Sequence, residues 1–344
     1  MRFSSVIFSM SHDPENDGAV IDSTLKEAEL AEEIGMDAVW LTEHHFDGET
    51  AYVDPLVFGA AVAAKTRRIK IGFAVVQMAF HHPVRLAAQT ALLDNLSHGR
   101  LIVGIGRGTA LNHFEYAGFG MTMQDGIDRM DEAEDLLVKA WTTRDLRYAG
   151  KHWKVSFPLL RPRPYQRPHP PLVRACLSEE SVVAMARIGR PIMLVPVAND
   201  VISSRLRKYK EALFEAGFGE DRMAQILDQV WVSKSVFVDH TDDAAREIAS
   251  QGLRRDLDHI QDARRRYNPN GLGTVNTSQA DTHGDDFEQT FIVGTPQRVS
   301  NQIAELRDLG VRNLMMNFNV GEMLAEDVER SMRLFGEEVL PLFK

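Results

Sequence analysis

Two adjacent histidines follow a short apolar run and carry the residue type best suited to proton transfer. Trp40-Leu41-Thr42 leads directly into Glu43, His44 and His45. The pKa of histidine lies near neutrality, so either residue could act as a general acid or base. Neighbouring side chains on an extended strand point in opposite directions, and the pair therefore cannot easily bind one metal ion together. The other interpretation is that both histidines are structural, and the residue types alone leave both open.

A glycine-rich segment further along the chain places an arginine where a ligand could approach the backbone closely. It reads Gly104-Ile105-Gly106-Arg107-Gly108. The spacing is similar to a dinucleotide-binding fingerprint, but that motif requires a helix to start at once, and here the next helical pattern begins near Asp125. An arginine at the end of a strand is suited to binding phosphate. The alternative is a tight turn.

A pair of serines precedes another helical pattern, in Leu177-Ser178-Glu179-Glu180-Ser181. Ser178 and Ser181 can cap the helix, or they can bind an anion together with the free N–H groups of its first turn. Arg129 is either a third contact to such an anion or one end of a surface ion pair. These residues therefore predict an anion site, with helix capping as the alternative.

Metal chemistry has little support in the sequence. Cys176 is the only cysteine, and the chain contains neither His-x-His nor His-Glu-x-x-His. Multi-cysteine zinc sites and the common histidine metal motifs are therefore absent from the sequence. We expect a site without a catalytic metal.

The elements that carry these residues alternate between short apolar runs and longer helical patterns. Thr24-Leu25-Lys26-Glu27 resembles a capping box, whereas Asp54-Pro55 and Pro83 are typical of helix starts. The candidate strands are residues 2–9, 37–42, 69–77, 101–105, 171–176, 192–197, 230–238 and 312–319. Eight strand–helix alternations predict parallel strands joined by right-handed crossovers, which is the pattern of a (β/α)₈ TIM barrel. We expect one such domain over residues 1–344, with insertions.

Two stretches are the candidate insertions. Residues 146–169 are rich in proline and arginine, and residues 267–289 are rich in glycine, asparagine, threonine and aspartate. The second stretch has few apolar residues to anchor it, and we expect it to be a mobile loop. In a barrel of this type the site lies at the carboxyl ends of the strands, where His44 and Arg107 are both expected.

Composition excludes several classes of protein. The chain has 344 residues, 44% of them apolar and 26% charged, which is typical of a globular protein. Its 39 basic and 49 acidic residues give a net charge of −10, which argues against nucleic acid or an anionic membrane as a partner. No apolar run approaches the roughly 20 residues of a membrane span, and the N-terminus does not resemble a signal peptide. We therefore expect a cytoplasmic protein.

Seven motifs, in chain order, resemble those of the bacterial luciferase-like flavin-dependent monooxygenases, and among these most closely the α subunit of bacterial luciferase. The motifs are residues 40–46, Ala74-Val75, His82-Pro83-Val84-Arg85, Ser97-His98-Gly99-Arg100 with residues 104–108, Leu177–Gly189, Gly294-Thr295-Pro296 and Ser331–Lys344. Each motif is weak alone, but together they cover nearly the whole chain in the family's order.

The resemblance assigns roles to individual residues. His44 is implied as the catalytic acid or base, with Ala74 and Val75, joined by a non-proline cis peptide, packing against the isoalloxazine ring. Gly106 is implied to leave room for that ring. The remaining implied contacts are to FMN, most of them to its phosphate, from Arg107, Arg129, Leu177, Ser178 and Ser181.

The resemblance also implies a reaction. A two-component monooxygenase would receive reduced FMN from a separate flavin reductase, consistent with the lack of a nicotinamide-binding motif. The flavin would react with O₂ to give a C4a-(hydro)peroxyflavin, and a small organic substrate would be oxygenated by hydroxylation or Baeyer–Villiger insertion. The family further implies a homodimer. Two alternatives remain open: an F420-dependent hydride-transfer oxidoreductase on the same fold, and a non-catalytic flavin-binding partner subunit.

Some positions depart from the light-emitting members of the family. Those enzymes have a cysteine where this chain has Gly106 and an aspartate near the position of His113. Their long loop with functional lysines corresponds to residues 267–289, which are fewer and include no lysine. These differences argue against light emission, and the sequence does not identify the organic substrate.

Overall fold

The computed structural model of the chain describes residues 1–109, 111–273 and 285–344. The strands among these residues are β1 Arg2–Ile7, β2 Ala38–Leu41, β3 Lys70–Phe73, β4 Val76–Gln77, β5 Leu101–Gly106, β6 Leu146–Ala149, β7 Lys154–Phe157, β8 Leu172–Cys176, β9 Ile192–Leu194, β10 Trp231–Val238, β11 Phe291–Gly294 and β12 Asn313–Asn317. The helices are α1 Asp17–Glu33, α2 Pro55–Lys65, α3 Pro83–Leu96, α4 His113–Gly118, α5 Met123–Thr142, α6 Glu179–Arg187, α7 Asn199–Glu215, α8 Glu220–Leu227, α9 Asp242–Tyr267, α10 Asp285–Thr290, α11 Pro296–Asp308 and α12 Ala325–Leu334.

Eight parallel strands close into a barrel, as the alternation predicts. Around the barrel they run in the order β1, β2, β3, β5, β8, β9, β10 and β12, and β12 pairs with β1 to close the ring. Every pairing in the ring is parallel, so all the carboxyl ends lie at one mouth. The fold is a TIM barrel.

Side chains fill the barrel interior and form a floor beneath this mouth. Trp40 and Trp231 meet edge to face with ring centroids 4.9 Å apart, and the indole of Trp40 donates to Ser4 Oγ at 2.9 Å. A larger apolar layer between the strands and the surrounding helices includes Phe3, Phe73 and Phe237, all fully buried. The packed interior therefore confines a ligand to the mouth and its loops.

The predicted helix start at Thr24 is wrong. A short 3₁₀ turn, Pro14–Asn16, leads into α1, which begins at Asp17. Thr24 lies within α1, and its hydroxyl donates to the carbonyl of Val20 at 2.6 Å. The Thr-x-x-Glu pattern here lies inside a helix, where the threonine hydroxyl donates a hydrogen bond to a backbone carbonyl of the preceding turn. The predicted helix starts at Asp54-Pro55 and at Pro83 are confirmed.

The predicted strand 69–77 is two strands rather than one. β3 pairs with both β2 and β5, whereas β4 pairs only with the end of β5, at Ile105 and Gly106. The break between them is the cis peptide Ala74-Val75. Two further elements are not predicted from the sequence: β11, and α4, which lies between β5 and α5.

The two predicted insertions have different outcomes. Residues 146–169 contain the antiparallel hairpin of β6 and β7. Of residues 267–289, the ends belong to α9 and α10, whereas residues 274–284 lie outside the described residues. The mobility expected for this loop therefore remains a prediction.

Candidate active site at the barrel mouth

His44 lies just beyond β2, between two carboxylates. Its Nε2 is 3.5 Å from Glu49 Oε1, and its Nδ1 is 3.4 Å from Glu115 Oε1. The imidazole stacks on Phe8, which follows β1, with centroids 6.3 Å apart. About 20% of the His44 side chain is exposed, against 10% and 0% for the two glutamates. The imidazole of His44 is thus partly accessible at the barrel mouth, and the carboxylates of Glu49 and Glu115 beside it are more deeply buried.

His45 points the opposite way, as expected for neighbours on an extended segment. Its Nε2 lies 3.0 Å from Glu43 Oε1, which also lies 2.8 Å from His81 Nε2. The other oxygen of Glu43 accepts from the backbone N–H of Gln77 at 2.7 Å. Burial alone would raise the pKa of Glu43, but the hydrogen bonds from both histidines hold this pKa below its ordinary value. Glu43 therefore serves as a charged anchor beneath the mouth.

The electrostatics of His44 favour its charged form. Burial lowers the pKa of His44, but the carboxylates of Glu49, Glu115 and Asp47 outweigh burial and raise this pKa to about 10. Burial also raises the pKa of Glu49 to about 7, against the opposing effect of the His44 charge. The surroundings therefore favour the charged form of His44, beside a carboxyl group whose pKa is raised towards neutrality by burial.

The glycines of β5 allow this strand to pack closely against the segment that contains the cis peptide. A Cβ on Gly106 would lie 2.7 Å from Val75 Cγ2, and one on Gly104 would lie 1.8 Å from the carbonyl oxygen of Phe73. Real Cβ atoms do not approach other atoms so closely, so the backbones of β3, β4 and β5 can pack only with glycine here. Gly106 therefore makes room for the side chain of Val75 beside the cis peptide.

Arg107 directly follows Gly106, the last residue of β5. Its Nε is buried and has no hydrogen-bond partner among the described residues. Its carbonyl accepts from the Tyr116 hydroxyl at 3.4 Å, which fixes the backbone, and its guanidinium forms no ion pair within the part of the chain that the structure describes. A buried donor without a partner is rare and calls for a ligand or ordered water.

The serine pair caps a helix, and the same helix start has a second arginine beside it. The hydroxyl of each serine, Ser178 and Ser181, accepts from the backbone N–H of the other at 3.2 Å; Ser178 is exposed and Ser181 is half-buried. Arg205 Nη2 donates to the carbonyl of Leu177 at 2.7 Å, while its Nη1 is buried without a partner among the described residues. Leu177 itself is 66% exposed. Capping is observed, and the helix N-terminus stays open to an anion.

Arg129 forms the ion pair that the sequence offered as the alternative. Its Nη2 lies 3.4 Å from Asp125 Oδ1 one helical turn away, and both side chains are more than a third exposed. Such a surface pair contributes little to stability and can exchange Asp125 for a ligand anion. Arg129 lies on α5, after the capping box that Thr122 and Asp125 form at the start of this helix.

Sequence reasoning missed the carboxylates around His44 and the second arginine. Glu49 lies in a loop after β2, Glu115 lies on α4, and Arg205 lies on α7. None of them belongs to a motif or an apolar period, because a loop or short helix has no repeating pattern from which to read its buried side. The orphaned donors of Arg107 and Arg205 show only in the folded chain.

Two further observations concern what the site and chain can hold. No three His, Cys, Asp or Glu side chains are placed to share a metal ion in residues 1–109, 111–273 and 285–344. Within the same ranges, no helix combines the length and apolar character needed to cross a bilayer. By contrast, the buried Nε of Arg107, without a partner among the described residues and next to the close packing of Val75 and Gly106, fits a ligand that carries a phosphate.

Comparison with known proteins gives the family. Residues 1–313 match the luciferase-like monooxygenases. The chain is 25% identical to an alkanal monooxygenase alpha chain of Photorhabdus luminescens, over 100% of this chain and 98% of the relative. It is 28% identical to the oxygenase component of the flavin-dependent trigonelline monooxygenase of Acinetobacter baylyi, over 57% of this chain and 55% of the relative.

Solved structures share the fold. A monooxygenase from Streptomyces bottropensis superposes with a TM-score of 0.83 and 29% identity over 100% of both chains. The oxygenating constituent of 3,6-diketocamphane monooxygenase from Pseudomonas putida, in complex with FMN, has a TM-score of 0.79 at 21% identity, covering 99% of this chain and 98% of its own. An F420-dependent secondary alcohol dehydrogenase has a TM-score of 0.77 at 17% identity, covering 100% and 99%.

At identities of 21% and 17%, the similarity to the last two structures shows only that the fold is shared. One of these two proteins is in complex with FMN and the other is F420-dependent. The family match is independent of these two neighbours and spans most of the chain. The chain therefore belongs to the luciferase-like monooxygenase family of enzymes.

Proposed function

We propose that this chain is the oxygenase component of a two-component FMN-dependent monooxygenase. It would take reduced FMN from a separate flavin reductase and use O₂ to oxygenate a small organic substrate. The observation that carries this proposal is the buried Nε of Arg107, which has no hydrogen-bond partner among the described residues and directly follows the close packing of Gly106 against Val75 at the cis peptide. The phosphate of a bound flavin would supply the missing partner.

The residues then have separable tasks. Ala74, Val75 and Gly106 would hold the ring of FMN, and the other five proposed contacts would lie along its tail and phosphate. Those five are Arg107, Arg129, Leu177, Ser178 and Ser181. Bound flavin supplies electrons to O₂, which is chemistry that no side chain of this chain provides. His44 would hold and move a proton at its ring nitrogens, because it is the accessible imidazole at the mouth.

Replacement of His44 tests the proposal. His44→Ala is expected to lower the yield of oxygenated product by about 100-fold or more, the usual contribution of a positioned acid or base. Binding of reduced FMN should be nearly unchanged, because the proposed phosphate contacts come from other elements: the segment after β5, α5 and the start of α6. Product is measured by chromatography after mixing with chemically reduced FMN, O₂ and a panel of aldehydes, ketones and aromatic or terpenoid compounds.

A surface histidine gives the matched control. His98→Asn alters a residue that follows α3 at the opposite end of the barrel and keeps a side chain tolerant of its positive φ of 53°. Its product yield should equal that of the unaltered protein. Equal product from His44→Ala and the unaltered protein would remove His44 from the chemistry.

Cofactor choice is tested by binding. Fluorescence titration with reduced FMN and with a reduced deazaflavin distinguishes oxygenation from F420-dependent hydride transfer, which one structural neighbour performs. Oxygen consumption with free reduced FMN distinguishes an enzyme from a non-catalytic flavin-binding subunit. Tighter binding of the deazaflavin would overturn the FMN assignment.

We further propose one domain over residues 1–344, a homodimer, and a cytoplasmic location. Exposed apolar side chains on α2 and α3 support the dimer, because Val57 is 68%, Leu92 49% and Leu96 52% exposed. Sedimentation velocity would measure the mass of the particle, and a monomer at micromolar concentration would contradict this part of the proposal.

A further inference from the structure

The ring of His44 has a carboxylate near each of its nitrogens. Glu49 Oε1 approaches Nε2 to 3.5 Å and Glu115 Oε1 approaches Nδ1 to 3.4 Å. Nδ1 is buried and has no hydrogen bond with described residues, so these contacts are electrostatic at this separation. A neutral imidazole carries a proton on only one nitrogen, whereas an imidazolium presents a donor to both carboxylates.

Glu115 is fixed in place by groups other than His44. Its Oε1 accepts from the backbone N–H of His45 at 2.8 Å and from Gln77 Nε2 at 3.4 Å. Its Oε2 is buried without a partner among the described residues. Two neutral donors stabilise a buried carboxylate only in part, and a nearby cation would supply the remainder.

Further titratable groups face this pair from the surrounding elements. Asp47 lies on the same loop as Glu49, Asp256 and Arg264 lie on α9, and His12 lies on the loop after β1. Asp47 also lines an open cleft of about 1040 Å³ between this loop and α9. The excess of carboxylates over cations favours a positive charge on His44.

We infer that Glu49 and Glu115 are positioning residues that hold His44 as an imidazolium, so that His44 enters the reaction as a proton donor. The inference deepens the proposed function and rests on it only for the use of the proton. In that step the N–H bond of the imidazolium breaks and its electron pair stays on the ring nitrogen. An O–H bond forms on an oxyanion that develops during oxygenation of the substrate.

Return of the proton completes the cycle. Glu49, whose pKa is raised to about 7 by burial, would take a proton from solvent through Asp47 at the cleft. It would then pass this proton to neutral His44 and become a carboxylate again. The sequence of transfers starts and ends with the same protonation states and requires no oxidant or reductant of its own.

Histidine NMR on the full-length protein without flavin tests the charge directly. The His44 resonance, identified among twelve histidines by its loss in His44→Asn, should remain that of an imidazolium from pH 6 to about pH 9. Glu115→Gln and Glu49→Gln should each shift its titration down by about one pH unit or more. Glu115→Asp keeps the charge and should restore most of the shift.

A distant buried glutamate provides the control. Glu27 is buried between α1 and β1, and Glu27→Gln should leave the His44 titration unchanged. A His44 that is neutral at pH 7.5 in the unaltered protein overturns the inference, even if every glutamate variant fails to fold. So does a His44 titration that both glutamine variants leave in place.

The pH dependence of turnover separates the inference from the proposed function. With a substrate identified, kcat of the unaltered protein should fall only at alkaline pH, and Glu49→Gln should move that fall to lower pH without a matching change in KM. If no substrate is oxygenated by any variant, the proposed function fails while the NMR result still decides the charge. If product forms with a neutral His44, the inference fails alone.

Discussion

At the residue scale, adjacent side chains in this chain meet opposite environments. His44 lies between carboxylates that keep it charged, whereas its neighbour His45 shares Glu43 with His81 and packs against Phe80 and Phe119. Alternation along the extended segment separates the two, so the neighbour cannot replace His44. The carboxylates also differ. Among the described residues, Glu43 accepts from three hydrogen-bond donors, which favour its ionised form, whereas Glu27 accepts only from the hydroxyl of Ser5 at 3.4 Å.

Glu27 yields a prediction about stability. Burial raises the pKa of Glu27 from 4.5 to about 8, so the folded protein binds this proton more tightly than the unfolded chain. Between these pH values stability falls as pH rises, since the buried group must ionise. Glu27→Gln removes this dependence and should gain stability over the unaltered protein from pH 5 to pH 8, by on the order of 2 kcal/mol. Urea unfolding at both pH values measures the gain, and a difference that does not change with pH would contradict it.

At the element scale, local signals located some helix starts and misplaced another. Asp54 followed by Pro55 begins α2 as predicted, because the carboxylate accepts from the free N–H groups of Leu56 at 2.8 Å and Val57 at 3.1 Å. Proline cannot donate within a helix and fits only its first turn, so the Asp-Pro pair is specific. The Thr-x-x-Glu pattern at Thr24 contains nothing that forbids a preceding helical turn, and it lies inside α1.

The cap of α2 gives the second prediction. Asp54→Ala removes the Oδ1 that accepts from both N–H groups and should lower the free energy of unfolding by about 1 kcal/mol. Asp54→Ser supplies a hydroxyl oxygen as acceptor and should recover most of the loss. Both are measured by urea unfolding with an unchanged m-value. A loss from serine as large as that from alanine would show that Asp54 stabilises α2 by some means other than capping.

At the scale of the whole molecule, one lysine links distant parts of the barrel. Lys234 on β10 is 1% exposed, and its Nζ donates to the carbonyl of Val197 at 2.7 Å and to that of Gln289. These carbonyls lie after β9 and at the end of α10. No ion pair of Lys234 exists within residues 1–109, 111–273 and 285–344, and burial lowers the pKa of Lys234 to about 8. Lys234 therefore connects elements that are far apart in sequence, and its charged form is buried where it does so.

Lys234 gives the third prediction. The unfolded chain binds this proton up to the ordinary pKa of 10.5, whereas the folded chain releases it near pH 8. From pH 8 to 10.5 this group therefore makes the protein more stable as pH rises. Relative to the unaltered protein, Lys234→Met should lose on the order of 2 kcal/mol between pH 7.5 and pH 10. Other groups cancel in the difference, and thermal unfolding of both proteins at the two pH values measures it. A constant difference would show that Lys234 carries the same charge in both states.

The sequence by itself determined the barrel, its parallel strands and the positions of His44, Gly106 and Arg107 at strand ends. These follow from local signals: apolar periodicity, proline and capping residues, and the side-chain alternation of a strand. Only the tertiary structure decided what surrounds them. Glu115 meets the backbone of His45 from 70 residues away, and Arg205 meets Leu177 from 28 residues away. The charge on His44 depends on such distant loop residues, whose buried sides have no repeating pattern, so it is fixed only once the barrel has closed.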